Sequence, residues 1–134
     1  MNYFNPSYSD KDINKISTLG LAYIGDCVFE MLVRMWLISE GHTASHDLHH
    51  TAVHYVNATA QHAFFERIFD LLSEDELAVY HRGRNAKVNS VPQHSSVSDY
   101  HAATGLEALF GWLYLRSDME RINALFDAGM KKEI

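Results

Sequence analysis

One cysteine, Cys27, and two prolines, Pro6 and Pro92, are all that 134 residues carry of either type. A lone thiol excludes a disulfide framework or a cysteine-built zinc cage from a single chain, and it fits a reducing compartment. No uninterrupted apolar run approaches the roughly 20 residues that a membrane helix needs. The N-terminus, Met1-Asn2-Tyr3-Phe4-Asn5-Pro6, lacks the basic region and apolar run of a secretory leader. A cytoplasmic protein without membrane attachment is therefore expected. Positive charge is also scarce: 11 Lys+Arg face 17 Asp+Glu, a formal net charge of -6. Bulk attraction cannot coat such a chain onto nucleic acid, so a polyanion would have to be met by a local patch or through a cation. Repeats, low-complexity tracts and the HExxH zinc pattern are missing as well.

What is present is helical periodicity. Apolar residues recur mostly at three- and four-residue spacing, which favours helices over strands, and the length suits one domain, residues 1–134, with its own core. The fold class read from this is all-α. A first long helix runs from about Asp10 or Ser17 to Glu40, stopped by Gly41, with Leu21, Ile24, Val28, Met31, Leu32 and Met35 as its inward stripe. A second spans about Ser45 to Phe69, with Val53, Val56, Ala60, Phe64 and Ile68 inward. Ser73-Glu74-Asp75-Glu76 matches a capping box and opens a third helix, which ends at Arg84-Asn85. Ala86 to Val97, with Asn89, Ser90, Pro92, Ser95 and Ser96, reads as a loop and as the natural place for a substrate contact. A helix opened by Ser98-Asp99 follows. The last helix starts at a second candidate box, Ser117-Asp118-Met119-Glu120, carries Ile122, Leu125 and Phe126, and stops at Gly129.

Two acids stand out within this pattern. Asp26 interrupts the apolar stretch Leu21-Ala22-Tyr23-Ile24-Gly25-Asp26-Cys27-Val28-Phe29-Glu30, and Glu107 interrupts Thr104-Gly105-Leu106-Glu107-Ala108-Leu109-Phe110-Gly111. An ionised side chain in such a setting is costly unless something offsets its desolvation. Gly25, Gly105 and Gly111 each cost a helix about 1 kcal/mol relative to alanine, and close helix approach is the simplest compensation. Gly111 lies one turn beyond Glu107 on the same face. The expectation is that the two helices cross there and that the paired carboxylates hold a divalent cation; magnesium binds through one or two carboxylates while keeping waters and phosphate oxygens. The plainer reading of each acid alone is a solvated or ion-paired group, as for Glu30, which has Arg34 one turn on.

Arg82, Arg84, Asn85 and Lys87 form the densest positive segment of an acidic chain, and His81 adjoins them. Cations at a helix C-terminus can simply complement its dipole. Concentrated at a loop, they also suit phosphate and sugar contacts that read shape rather than sequence, as double-stranded RNA requires. His42/His46, His46/His50 and His50/His54 have helical i, i+4 spacing, yet without HExxH they read as solvated histidines rather than a zinc site. Trp36, Phe64, Phe65, Trp112 and Tyr114 read as core or dimer-interface residues.

These three ordered segments, Leu21 to Glu30, Arg82 to Lys87 and Ala103 to Gly111, make the chain resemble Mini-ribonuclease III, the compact relatives of ribonuclease III that keep its catalytic domain and lack its double-stranded RNA-binding domain. The resemblance covers nearly the whole sequence. It implies a ribonuclease III endonuclease-domain-like helical bundle, a homodimer, and magnesium-dependent cleavage of both strands of double-stranded RNA to 5′-phosphate and 3′-hydroxyl ends. It further implies maturation of the 23S ribosomal RNA precursor at a double-stranded stem, with a ribosomal protein as a candidate further partner. Asp26 and Glu107 take the catalytic, metal-ligating positions, and Arg82, Arg84, Asn85 and Lys87 the RNA-contacting ones. Full-length ribonuclease III has a Glu and an Asp where this chain has Ala22 and Thr104, which resembles the Mini type. The rival reading is a non-catalytic helical module that binds structured RNA in a ribonucleoprotein.

Overall fold

Local capping explains where most helices begin and end in the computed structural model, which describes residues 1–88, 90–93 and 95–131. A short α1 (Asp10–Ile13) leads into α2 (Thr18–Ser39), whose cap Ser17 accepts from the Gly20 amide at 3.0 Å. Gly41, at φ +99°, follows the end of α2 in a conformation that favours glycine. The expected second helix is two: α3 (Ser45–Val56) and α4 (Ala58–Ile68). Asn57 divides them, its side chain accepting from the Ala60 amide at 2.8 Å and donating to the Val53 carbonyl at 2.9 Å. An asparagine inside an apolar periodic run gives no warning of a one-residue break, since the spacing continues across it. A 3₁₀ turn, Phe69–Leu71, closes α4.

The Ser73 capping box opens α5 (Glu74–Arg84) as expected, with both reciprocal bonds formed. Glu76, its acidic member, is buried and gripped by Arg121 through Nε and one terminal nitrogen, each at 2.8 Å. Burial alone would raise its pKa; the guanidinium and the Ser73 amide outweigh that and hold it below the usual value. Helix α6 (Val97–Leu115) is capped earlier than expected, by Ser96, with the Asp99 amide as donor at 3.0 Å. The second candidate box does not form. Ser117 takes φ 60°, and α7 (Met119–Met130) starts after Asp118 without a side-chain cap. Gly129 is not a stop either: it lies inside α7, where a Cβ would meet the Phe64 ring at 2.2 Å. The reading made on Asn89 falls outside the described residues.

Helix α6 is the centre of the bundle and packs against α2, α4, α5 and α7. Its sequence dictates this: residues 102–113 are apolar or small on every face apart from Thr104 and Glu107, and a helix of that kind must be surrounded. Phe110 lies against Phe29 of α2 and Phe64 of α4, with Phe126 of α7 completing an aromatic cluster at 5.1–6.0 Å between ring centres. The inward stripe of α2 is Leu21, Ala22, Gly25, Val28, Phe29, Val33 and Leu37. Met31 and Met35, expected inside, are 50% and 59% exposed, as is Val53 of α3 at 48%. Hydrophobicity on nearly every face of α2 hid its true direction. Trp36, Trp112 and Tyr114 pack partly buried against the core, Phe64 and Phe65 within it. Glu30 pairs with Arg34 at 3.4 Å. Among the described residues no helix is long and apolar enough to cross a membrane, and no strand occurs.

Candidate active site

Two glycines let α2 and α6 touch backbone to backbone. A Cβ on Gly25 would stand 1.6 Å from the Glu107 carbonyl oxygen and 2.8 Å from the Gly111 nitrogen; one on Gly111 would stand 2.0 Å from the Leu21 carbonyl oxygen. No side chain fits there, so the crossing needs glycine on both sides. Asp26 follows Gly25 directly and Glu107 precedes Gly111 by one turn, and the crossing brings their carboxyls into one cleft, close enough for Asp26 to disfavour ionisation of Glu107. Gly105 serves a different contact, with Tyr80 of α5, while Gly83 of α5 sits against Thr104, Gly105 and Ala108.

Both acids line one open cleft of about 610 Å³ with Leu19, Tyr23, Lys87, Tyr100 and Thr104. Asp26 is exposed rather than sunk among apolar neighbours, because Tyr23 and Cys27 beside it lie on a face of α2 that this chain leaves uncovered. Glu107 is half-buried. Burial first, and then the Asp26 carboxyl facing it, push the Glu107 pKa up to about 8; the Gln61 amide opposes them.

Burial with a second carboxyl opposite makes ionisation of Glu107 unfavourable unless a cation offsets it. Two carboxyls sharing a cleft of hard oxygen donors fit a magnesium-type ion, which uses few protein ligands and keeps its waters. Among the described residues no cluster of three or more His, Cys, Asp or Glu exists, so the pair is the whole acidic donor set. The pH consequence has a definite sign. A carboxyl held protonated by the fold stabilises the metal-free protein below about pH 4.5, and that contribution is lost as pH rises through about 8. Glu107→Gln should therefore flatten the fall in melting temperature between pH 5 and 8 measured in chelator; an unchanged slope would show that Glu107 is not the group responsible.

The structure spreads the basic segment over three places. Lys87 enters the carboxylate cleft with Val88 and Ser90 of the loop. Arg84 and Asn85 line a neighbouring depression with Val97, Ser98 and His101. Arg82 lies on the other side, against Ile13, Asn14, Ile16 and Trp112. Gly83, pressed onto α6, is why the two arginines splay to opposite flanks. All four side chains are exposed. Of the histidines, His46 and His50 lie with tilted rings 5.0 Å apart, His42 bonds Asp47 at 2.5 Å, and His62 bonds Asp99 at 2.7 Å, tying α4 to the start of α6. Sequence reasoning missed Gln61 and Tyr100. A signal for Gln61 was available: it is the one polar residue in the buried stripe Gln61, Phe64, Phe65, Ile68.

Residues 19–118, which contain every element of this cleft, match the Ribonuclease III domain family. The chain belongs to the ribonuclease III family. It is 38% identical to the Mini-ribonuclease 3 of Enterococcus faecalis over 124 residues, covering 91% of this chain and 94% of that one. With the Mini-ribonuclease 3 of Symbiobacterium thermophilum it shares 43% over 110 residues, 82% and 85% of the two chains. A crystal structure of a Fusobacterium nucleatum protein superposes with a TM-score of 0.80 at 29% identity, covering 90% of this chain and 98% of that one. Membership in the ribonuclease III family makes this an endoribonuclease of the Mini type. Ala22 and Thr104 also line the cleft and bring no charge to it, so Asp26 and Glu107 are its two acids among the described residues.

Proposed function

We propose that this protein is a magnesium-dependent endoribonuclease that cuts both strands of double-stranded RNA, leaving 5′-phosphate and 3′-hydroxyl ends. The observation that carries the reading is the meeting of Asp26 and Glu107, 81 positions apart in sequence, in one cleft with Lys87. Magnesium, when bound, supplies Lewis-acid polarisation of the phosphodiester and lowers the pKa of a water. Asp26 and Glu107 hold the ion, and with it present Glu107 is an anion. Lys87 offsets phosphate charge at the cleft. Arg82, Arg84 and Asn85, exposed on the flanks, grip the backbone of the duplex further out, which positions it without reading bases.

A homodimer suits this reading. Leu19, Tyr23, Cys27, Met31 and Met35 form an exposed row at four-residue spacing along α2, adjoining Asp26 and continued by Ile38. Such an apolar ridge calls for cover, and a second copy would supply it. The substrate proposed here is a double-stranded stem of the 23S ribosomal RNA precursor, met in the cytoplasm, with a ribosomal protein as the candidate presenter of that stem. A non-catalytic RNA-binding module would have no use for a pair of carboxyls that repel.

The test is cleavage of a synthetic duplex. Double-stranded RNA should be cut with magnesium and spared in chelator, while either strand alone is spared; cutting in chelator would end the reading. Arg82→Ala with Arg84→Ala should weaken duplex binding and lower the slope of log K against log salt by about 0.9 for each phosphate that is no longer neutralised.

A further inference from the structure

Gln61 is 2% exposed, at a position of α4 where the neighbouring stripe is aromatic and aliphatic. The fold does not ask for an amide there. Its Nε2 donates to the Val56 carbonyl at 3.0 Å, an acceptor freed by the Asn57 break between α3 and α4. The amide is close enough to the Glu107 carboxyl to favour its ionised form against burial. Its Oε1 is buried without a hydrogen-bond partner in the protein. An unmet buried acceptor is a standing cost to folding, so a polar group kept in that state points to a task beyond packing. Anchored at Val56, the planar amide has one N–H left for the carboxylate and its oxygen directed elsewhere.

We propose that Gln61 is a positioning residue for the active site: held by Val56, its amide fixes the Glu107 carboxyl in its ligating orientation. This rests on the metal-ion reading above. Groups that orient a ligand from behind are typically worth about 10–100-fold in metal affinity or activity.

Manganese binding, followed by electron paramagnetic resonance on the RNA-free protein, separates the two ideas. Gln61→Met keeps length and burial and removes the amide. It should remain folded, bind Mn²⁺ roughly tenfold more weakly, and lower kcat by about 10–100-fold with KM for duplex RNA near parental. Parental Mn²⁺ affinity and kcat in a folded Gln61→Met would overturn the proposal, whatever its melting temperature. Gln61→Leu repeats the test with a second shape; if both variants unfold at assay temperature, the amide is structural and the proposal fails. Asp26→Asn runs alongside. Undiminished Mn²⁺ affinity there would sink the metal reading itself, whereas loss there with retention in Gln61→Met would sink only the role given to Gln61.

Discussion

Asp26→Asn is expected to reduce cleavage of double-stranded RNA by at least roughly 10²–10³-fold without destabilising the metal-free protein. The rate loss follows from removing one of two acidic ligands, because a preorganised charge at the reacting centre is worth that much on its own. The stability forecast comes from the same contact read the other way. Asp26 is exposed and Glu107 is held protonated partly by it, so the amide relieves repulsion and lets the Glu107 pKa fall. Thermal melting in chelator at pH 8 should therefore show an equal or higher midpoint for the variant. A group kept for packing would lose stability and activity together; activity lost while stability holds is the signature of a site. Full activity in a folded Asp26→Asn would remove this acid from the mechanism.

Gly25→Ala is the most damaging single methyl this structure allows. At 1.6 Å from the Glu107 carbonyl oxygen and 2.8 Å from the Gly111 nitrogen, the new carbon meets backbone, which has no rotamer to yield. Helices α2 and α6 must separate or tilt. Overpacking of a core usually costs about 1–3 kcal/mol, and a backbone-to-backbone clash belongs at or beyond the upper end. The same movement pulls Asp26 from Glu107, and a displacement near 1 Å can cost about 10²-fold in rate. Denaturant unfolding and single-turnover cleavage would report the two losses together. A variant within about 1 kcal/mol of the parent in that unfolding assay would mean the helices do not cross as described.

The helix count along the chain was legible wherever a polar residue punctuated apolar periodicity: Ser73 with Glu76, Ser17 before α2 and Gly41 after it all act as their chemistry suggests. Where one residue had two available roles, the pattern misled. Asn57 could ride within a helix or cap one, and only its bonds to Ala60 and Val53 decide. Gly129 could end a helix or admit a ring, and Phe64 decides. Met31 and Met35 could point inward as well as Val33 and Leu37 do, because apolar residues lie on nearly every face of α2 and blur its inward direction.

By itself the sequence determined the all-α class, the two acids with their flanking glycines, and the concentration of cations at the end of α5 and the loop after it, since composition, spacing and charge are properties of the chain. Tertiary structure alone decided which groups share the cleft. It seats Lys87 with the acids and sends Arg82 and Arg84 to opposite flanks, and it brings Gln61 of α4 close to Glu107. Those facts depend on how helices cross, and a crossing is set by the simultaneous fit of both surfaces, which neither segment encodes alone.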